Sequence, residues 1–287
     1  MGNGNLFNYE TLVHATAGAT GSVIASACIY PLDNLKFRLQ ANEPALIEKP
    51  TIEALLYLLK TEGLESWYRG LKPVLTSMGV SNFIYFYSFH GFKSLMPKNY
   101  QITSKTDLAF SIASGIINVL LTTPLWVVNS RLKVNNKENY SGLLDGLVHI
   151  GCNEGFGSLW SGVGASLVLV INPAIHFTVY EAFKRKVTLK SAYSFFLLGA
   201  LSKSVATVLT YPLQLAQTRQ RLNKQQNIYT LSLLLSILKK DGPGALYQGL
   251  ETKLLQTVLA AALMFMTYEK VSRLVFMLLL RQNKLKQ

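Results

Sequence analysis

A proline-containing segment occurs three times in this chain of 287 residues, and this repeat constrains the fold more than any other feature. The copies read YPLDNLKFRLQ at 30–40, TTPLWVVNSRL at 122–132 and YPLQLAQTRQR at 211–221. Each is followed by a segment that starts with an acid and Gly and ends with Gly: EGLESWYRG at 62–70, EGFGSLWSG at 154–162 and DGPGALYQG at 241–249. Such regular spacing predicts one unit in triplicate, with units at 1–98, 99–190 and 191–287.

Each unit contains two long apolar stretches that suit a membrane. Hydrophobic residues make up 49% of the chain and charged residues only 15%, against about 25% charged residues in ordinary globular proteins. A bilayer core needs about 20 apolar residues per helix, and backbone in lipid must satisfy its own hydrogen bonds. We therefore predict an all-α membrane protein with six transmembrane helices, at about 11–40, 72–95, 107–133, 163–186, 192–221 and 250–279.

Three further local features follow from the repeat. The proline in the first helix of each unit removes a backbone hydrogen bond and predicts a kink. The Leu-rich segment between the two spans ends in the acid-Gly pair, which predicts a short helix on the membrane surface. Small residues thirteen and nine positions before the prolines predict close helix packing; these positions hold Gly18 and Ser22, Ser111 and Gly115, and Gly199 with Lys203 as the exception.

The formal net charge of +13 predicts attraction to anions. The basic residues are dispersed beside apolar runs, which argues against nucleic acid as the partner. We expect the basic loop KRKVTLK at 184–190 to contact anionic lipid headgroups. Cys28 and Cys152 have no metal-site spacing, and no catalytic motif of a hydrolase, metalloprotease or nucleotide-hydrolysing loop is present. We therefore expect no enzyme activity, no metal and no prosthetic group.

The threefold pattern, Pro-x-acid-x-x-base-x-base followed by acid-Gly-x4-aromatic-base-Gly, resembles the mitochondrial carrier family, and the likeness covers essentially the whole chain. The resemblance implies six tilted helices in a threefold pseudosymmetric barrel around one central cavity, which opens alternately to the two sides of the membrane. It also implies that the base seven positions after each proline pairs with the acid of the following acid-Gly. Those structural ion pairs would be Arg38 with Glu62, Arg131 with Glu154 and Arg219 with Asp241. We expect the chain to function as a monomer.

The resemblance also implies an inner gate, in which the acid two positions after each proline pairs with the base five positions after the next unit's proline. The acid positions hold Asp33, Trp126 and Gln214, and the base positions hold Lys36, Asn129 and Gln217. Neighbouring units would match Asp33 with Asn129, Trp126 with Gln217 and Gln214 with Lys36. We therefore expect no ion pair here and a weaker gate. Gln40 matches the family's glutamine brace beneath this gate, and its equivalents are Lys133 and Arg221.

At the opposite end, the family has aromatic-acid-x-x-base on each second helix of a unit, which forms an outer gate. The gate positions here are His90 and Lys93, Glu181 and Lys184, and Glu269 and Ser272. Only the second of these copies has both the acid and the base. With the histidine neutral, the only ion pair expected between units is Glu269 with Lys93.

The family's substrate-contact positions map to Ser77, to Val168 or Leu169, and to Gln256, none of which is charged. Lys203 and Lys253 are the best cations for phosphate, because an intramembrane lysine usually faces a polar interior. Tyr85 could stack on adenine, with Asn172 and His176 as hydrogen-bond partners. Each has an alternative: packing for the tyrosine and histidine, a lipid-surface position for the lysines, and satisfaction of the backbone beside Pro173 for the asparagine.

Within the family, TTPLWVVNSRLK, NFIYFYSF, NPAIHF, TYPLQLAQT and KLLQTVLAAALMFMTYEK resemble the peroxisomal branch associated with adenine nucleotides. That resemblance implies exchange of ATP, ADP, AMP, CoA, FAD or NAD across the peroxisomal membrane. A mitochondrial inner-membrane carrier for NAD, FAD or folate is the alternative, and a leaky pore is a third. A membrane-embedded enzyme would need a buried acid or base pair, and the spans offer only Asp33 near a helix end.

Overall fold

The structure is a computed structural model that describes residues 26–96, 103–134, 141–185, 192–223 and 229–263. Within these ranges the regular elements are helical, which confirms the predicted all-α fold. In chain order they are α1 (26–40), α2 (Pro44–Ile47), α3 (Thr51–Glu62), α4 (Leu64–Trp67), α5 (Leu71–Ser94), α6 (Ser104–Val134), α7 (Leu143–Asn153), a 3₁₀ helix (Phe156–Trp160), α8 (Val163–Leu169), α9 (Asn172–Lys184), α10 (Ala192–Leu222), α11 (Thr230–Asp241), a 3₁₀ helix (Pro243–Tyr247) and α12 (250–263).

The long helices have the dimensions of membrane spans. Among the residues that the structure describes, three helical stretches are long and apolar enough to cross a bilayer, at Thr106–Val134, Phe156–Lys184 and Ser194–Leu222. The 24 residues of α5 rise about 36 Å, while α1 and α12 continue to the limits of the described ranges. The short helices α3, α7 and α11 separate the two long helices of each unit, at the places predicted for surface helices.

The long helices continue through some of their prolines and are interrupted at another. Pro124 and Pro212 lie inside α6 and α10, and both helices continue through them. The second long helix of the middle unit is interrupted between α8 and α9, and Pro173 lies in the first turn of α9. A proline fits the first turn because its missing N–H would have no partner in the helix there.

The carboxyl-terminal ends of α1, α6 and α10 meet and close one end of the molecule. Between α6 and α10, Arg131 Nε donates to the backbone oxygen of Arg221 at 3.1 Å. Between α10 and α1, Thr218 Oγ1 donates to Gln40 Oε1 at 2.9 Å. The Gln40 side chain is 1% exposed, so these contacts form in the protein interior rather than at a wet surface. Gln40 therefore joins α1 to α10 at the closed end.

The last glycine of each acid-Gly segment fixes how one unit packs on the next. Gly162 and Gly249 have φ values of +80° and +81°, a conformation that favours glycine. A Cβ on Gly162 would lie 3.1 Å from the backbone oxygen of Gln217 on α10, and one on Gly249 would lie 3.1 Å from Leu39 Cβ on α1. The second unit thus contacts the third, and the third returns to the first, which gives the closed cyclic order expected of a pseudosymmetric barrel.

Two buried arginines tie α1 and α6 to the surface segments of their own units. Arg38 donates from Nη1 and Nη2 to the two carboxylate oxygens of Glu62 at 2.7 and 2.9 Å. Arg131 Nη1 lies 2.6 Å from both oxygens of Glu154. Each arginine is 1% exposed, and a buried guanidinium is stable only with such a partner. Hydrogen bonds from Arg38 lower the pKa of Glu62, so this carboxylate remains ionised.

The third expected ion pair, Arg219 with Asp241, is absent from the described contacts. Arg219 Nη2 instead donates to Gln248 Oε1 at 2.9 Å, and its Nε donates to the backbone oxygen of Gln40 at 3.1 Å. Aspartate is one methylene shorter than the glutamate of the other two units, and Asp241 remains exposed. The amide oxygen of Gln248 accepts from the guanidinium instead, so a neutral partner replaces the charged one.

This difference predicts unequal effects of neutralising the two acids. Glu62→Gln should lower the free energy of unfolding by about 2–3 kcal/mol, because it removes the charge that compensates a buried arginine. Asp241→Asn, the matched change in the third unit, should alter it by less than about 0.5 kcal/mol. Thermal unfolding of both variants in detergent measures the difference.

A Gln248→Ala variant completes the comparison, since it removes the acceptor that Arg219 uses. It should lower the unfolding temperature more than Asp241→Asn does. Equal losses for Glu62→Gln and Asp241→Asn would contradict the assigned partners.

Candidate functional site

A cavity of about 530 Å³ lies between α1, α5 and α12 and reaches Trp126 on α6. Its volume is in the range of small-molecule sites in proteins. The wall is apolar where Ile29 and Met78 line it, and polar toward the closed end of the molecule. The polar lining there consists of Asp33, Lys133 and Gln256.

A second cavity of about 300 Å³ lies on the side of the middle unit. Tyr85, Asn118, Ser166 and Leu169 are among its lining residues. Trp126 lines this cavity as well as the first one. The indole therefore stands between two chambers that both have charged lining, Arg221 in the smaller one and Asp33 with Lys133 in the larger one.

An ion pair between units is present at the closed end. Lys133 Nζ on α6 lies 2.6 Å from Asp33 Oδ2 on α1, and the lysine is 6% exposed. The expectation that no ion pair survives in the inner gate is therefore wrong. The base that pairs with Asp33 is at position 133 rather than position 129, about one helical turn farther along the same face of α6.

The three pairings expected for the inner gate (Asp33 with Asn129, Trp126 with Gln217 and Gln214 with Lys36) are not among the described contacts. The amide of Asn129 donates to Ser77 Oγ at 2.7 Å, and that of Gln217 donates to Ser166 Oγ at 2.7 Å. Gln214 Nε2 donates to Thr210 Oγ1 in its own helix at 3.1 Å. Both serines belong to the same neighbouring units as the expected partners, but they lie on α5 and α8 rather than on α1 and α6. The amides consequently join adjacent helices and leave Trp126 without an amide partner among the described contacts.

Lys36 also differs from its expected pairing with Gln214. Its Nζ lies 3.3 Å from Asp33 Oδ1, one turn away on α1. Gln256 Nε2 on α12 donates to the same oxygen at 3.0 Å. Asp33 thus accepts hydrogen bonds from α1, α6 and α12 and is the central acceptor of the closed end.

The closed end has an excess of positive charge. Lys253 Nζ donates to Gln256 Oε1 at 3.2 Å, and the charges of Lys36, Lys133 and Lys203 all act on it. The negative charge of Asp33 also acts on Lys253. The charges of Lys36, Lys133 and Lys253 act on Asp33, and three ammonium groups around one carboxylate create a region that attracts anions. This is the main electrostatic property of the candidate site.

Two of the proposed substrate-contact residues line a cavity and one does not. Gln256 lines the larger cavity, and Tyr85 lines the smaller one, where its ring also packs against Phe86 and Phe89. Ser77 is fully buried and accepts the hydrogen bond of the Asn129 amide. Ser77 is therefore part of the closed end rather than of a cavity wall.

In the middle unit, Leu169 lines the smaller cavity, whereas Val168 is 53% exposed. Leu169 is therefore the better match to the contact position in this unit.

The remaining proposed contacts lie on or beside α10. Asn172 Nδ2 donates to Thr210 Oγ1 at 2.9 Å, and His176 Nε2 lies 3.4 Å from the backbone oxygen of Gly199. Both contacts pack α9 against α10, which is the packing alternative for His176. Lys203 is exposed, yet its charge acts on Lys253.

The outer-gate residues are arranged differently from the family pattern. Lys93 forms an ion pair with Asp107 at 2.8 Å and lies 4.7 Å from the ring centre of Phe89. Lys184 lies 3.7 Å from Glu181 on the same helix, and His90 is exposed. Glu269 and Ser272 lie outside the described residues. The structure thus gives Lys93 an acid from the start of α6, a partner that the family pattern does not predict.

Ser166 and Arg221 are two polar residues whose roles sequence reasoning missed. Ser166 Oγ accepts from Gln217 at 2.7 Å and from Arg221 Nη2 at 3.3 Å. Arg221 occupies the brace position of the third unit, and its charge was the available signal. Lys133 lies one helical turn beyond Asn129 on α6, and considering that position would have identified it from its charge.

An added ion pair should make the closed end harder to open. Trp126 and Gln217 both line the smaller cavity, so Trp126→Asp with Gln217→Lys should place opposite charges between α6 and α10. A pair worth about 1 kcal/mol should slow exchange about fivefold without abolishing solute binding. Initial exchange rates in liposomes measure it. Trp126→Asn with Gln217 retained is the matched control, and equal rates for the two variants would exclude the gate effect.

Comparison with known proteins agrees with this geometry. The family model described as mitochondrial carrier protein matches residues 7–100, 101–191 and 188–278. The peroxisomal membrane protein PMP34 of Mus musculus is 43% identical over 95% of this chain and 96% of its own. The peroxisomal adenine nucleotide carrier 1 of Glycine max is 32% identical, over 94% of this chain and 93% of its own. The peroxisomal nicotinamide adenine dinucleotide carrier of Arabidopsis thaliana is 30% identical, over 91% and 95% respectively.

The triplicated sequence, the helical units and the basic cavity now have a common explanation. The family model covers all three units, and the relatives match nearly the whole chain. The chain belongs to the mitochondrial carrier family and is a solute carrier of the peroxisomal membrane.

Proposed function

We propose that this carrier exchanges adenine nucleotides (ATP, ADP and AMP) and the related cofactors CoA, FAD and NAD across the peroxisomal membrane by alternating access. The observation that carries the proposal is the group of three lysines, Lys36, Lys133 and Lys253, whose charges act on Asp33 at the end of the larger cavity. Relatives named as carriers of adenine nucleotides and of nicotinamide adenine dinucleotide support the same class of solute.

The cavity offers different surfaces to the two ends of a nucleotide. Phosphate oxygens are suited to the ammonium groups of Lys133 and Lys253, which form charge-assisted hydrogen bonds. An adenine ring is suited to Trp126 and Tyr85, whose faces favour stacking. A solute with both parts would gain contacts from both chambers, and phosphate alone or adenine alone would gain from only one.

Alternating access follows from the closed end. In this structure α1, α6 and α10 are joined there, so a solute in the cavity cannot pass until those contacts separate. A solute shifts this equilibrium only by binding the open state more strongly. Loss of the Asp33 to Lys133 ion pair must therefore be offset by new contacts to the solute.

Uptake into liposomes that contain the purified protein tests the proposal. Labelled AMP is supplied outside, and ATP, CoA, FAD, NAD, folate or no solute is enclosed. We expect saturable uptake that depends on an enclosed nucleotide or cofactor, and the rates rank the solutes. Uptake that does not saturate would indicate a pore, and uptake driven only by enclosed folate would overturn the nucleotide assignment.

A substitution beside the cavity should affect solute affinity rather than protein stability. Lys253 donates to the cavity-lining Gln256. Lys253→Gln removes one of the three positive charges that act on Asp33 and should raise the KM for ATP roughly tenfold, as for loss of one charge-assisted hydrogen bond. Lys60→Gln is the matched control, because Lys60 is exposed on α3 and remote from the cavity lining. The same KM in both variants would exclude Lys253 from the solute site.

A further inference from the structure

A cavity of about 270 Å³ lies between the last turn of α10, the helix α11 and the turn that follows α1. None of its described lining residues lines either of the two cavities of the candidate site. We propose that this cavity, which we call the side cavity, binds the carboxylate of a small organic anion through Arg219. The bound anion holds the third unit against the first and keeps the closed end shut.

Arg219 lacks the carboxylate that the other two units supply at this position of the repeat. Arg38 and Arg131 each have a glutamate oxygen at 2.7 and 2.6 Å respectively. Among the described residues, the side-chain acceptors of Arg219 are the amide oxygens of Gln248 and Asn42, at 2.9 and 3.5 Å. A neutral acceptor binds a guanidinium less strongly than a carboxylate does. A carboxylate from outside the chain would therefore complete the threefold pattern.

The guanidinium of Arg219 keeps a donor for such a ligand. Its Nε donates to the backbone oxygen of Gln40 at 3.1 Å, and its Nη2 donates to the two amides. Nη1 has no partner among the described contacts, and it is not one of the buried atoms that lack a partner, so solvent reaches it. Arg219 is partly exposed and lines the side cavity. Nη1 and Nη2 together offer the two-donor edge that a carboxylate prefers.

The rest of the wall defines the size and the chemistry of the anion. Ala41, Leu222 and Leu233 contribute apolar surface, and Gln220 and Asn223 contribute amide groups. At about 30 Å³ for each water molecule, the volume corresponds to roughly nine waters, which is enough for a monocarboxylate of about six carbons. The apolar surface favours a short carbon chain over an inorganic anion. A six-carbon monocarboxylate therefore represents the proposed ligand class.

The acid of the third unit is close to Arg219 but does not pair with it. The charge of Asp241 acts on the guanidinium, yet this side chain is exposed and forms no ion pair among the described contacts. The other two units have the longer glutamate at this position. Asp241→Glu should therefore place a carboxylate of the chain where the external carboxylate binds. This substitution supplies an internal competitor for the proposed ligand.

A ligand in the side cavity should stabilise the closed end. Arg219 on α10 donates to the backbone oxygen of Gln40 on α1, and the next residue, Ala41, lines the cavity. The ligand thus contacts both units only while they are together. A ligand stabilises the state that it binds, so the anion should slow exchange. Because it binds outside the two solute cavities, it should not compete with the solute.

Thermal unfolding of the full-length purified chain in detergent tests the site at constant ionic strength. The four probes are hexanoate, acetate, 1-hexanol and inorganic phosphate. Hexanoate at ten times its dissociation constant should raise the unfolding temperature by about 3 °C. At the same concentration the other three should have smaller effects, because each lacks the carboxylate or the carbon chain. An equal shift with 1-hexanol or with phosphate would overturn the proposed ligand class.

Three variants assign the effect to Arg219. Arg219→Gln and Asp241→Glu should each abolish the shift with hexanoate, the first by removing the donor and the second by occupying it. Lys239→Gln makes the same charge change as Arg219→Gln at an exposed position of α11 and should keep the shift. If Arg219→Gln does not fold, Asp241→Glu gives the measurement alone, because it retains the arginine and its charge. A full shift in Asp241→Glu would overturn the inference.

Exchange in liposomes tests the consequence for transport. Saturating hexanoate should lower the maximal rate of nucleotide exchange by about half, or roughly 0.4 kcal/mol of barrier, and leave the KM for the solute unchanged. Exchange by Asp241→Glu should not respond to hexanoate. A raised KM with an unchanged maximal rate would place the anion in the solute cavity and overturn the inference. The unfolding measurement is independent of the solute, so a protein that does not exchange nucleotides would overturn the proposed function and leave the side cavity assigned.

Discussion

The hydrogen-bond partners of Asp33 hold together the closed end of the molecule. This carboxylate accepts hydrogen bonds from three helices, and one of its donors, Lys133, is almost fully buried. In a medium of low dielectric constant such a group must be paired, and pairing across helices fixes their separation. The cavities, their charge and the direction in which they open follow from that closure.

The structural ion pairs perform a different task. Arg38 and Arg131 hold each long helix to the surface segment of its own unit, and they do not cross between units as ion pairs. Units can therefore move as rigid pieces while the contacts between them change. This division agrees with alternating access, in which a few contacts between units break and the packing inside each unit survives.

Much of this architecture could be predicted from the sequence, because the repeat fixes both the unit and its helices. The resemblance to the carrier family identified the partners of Arg38 and Arg131, and a guanidinium with a carboxylate makes a specific pair. Two features could not be predicted in this way. The partner of Asp33 is Lys133, and identifying it requires knowing which turn of α6 faces Asp33. The amides of Asn129 and Gln217 donate to serines on other helices. Polar neutral groups have many possible partners, so their contacts depend on the packed structure.

Because the partner of Arg219 is neutral, the third unit responds to acid differently from the first. In the first unit, acid that protonates Glu62 removes the nearer of the two carboxylates that stabilise the buried Arg38. Gln248 does not titrate, so the third unit keeps its contact under the same conditions. Loss of structure in acid should therefore begin in the first unit and leave the third attached.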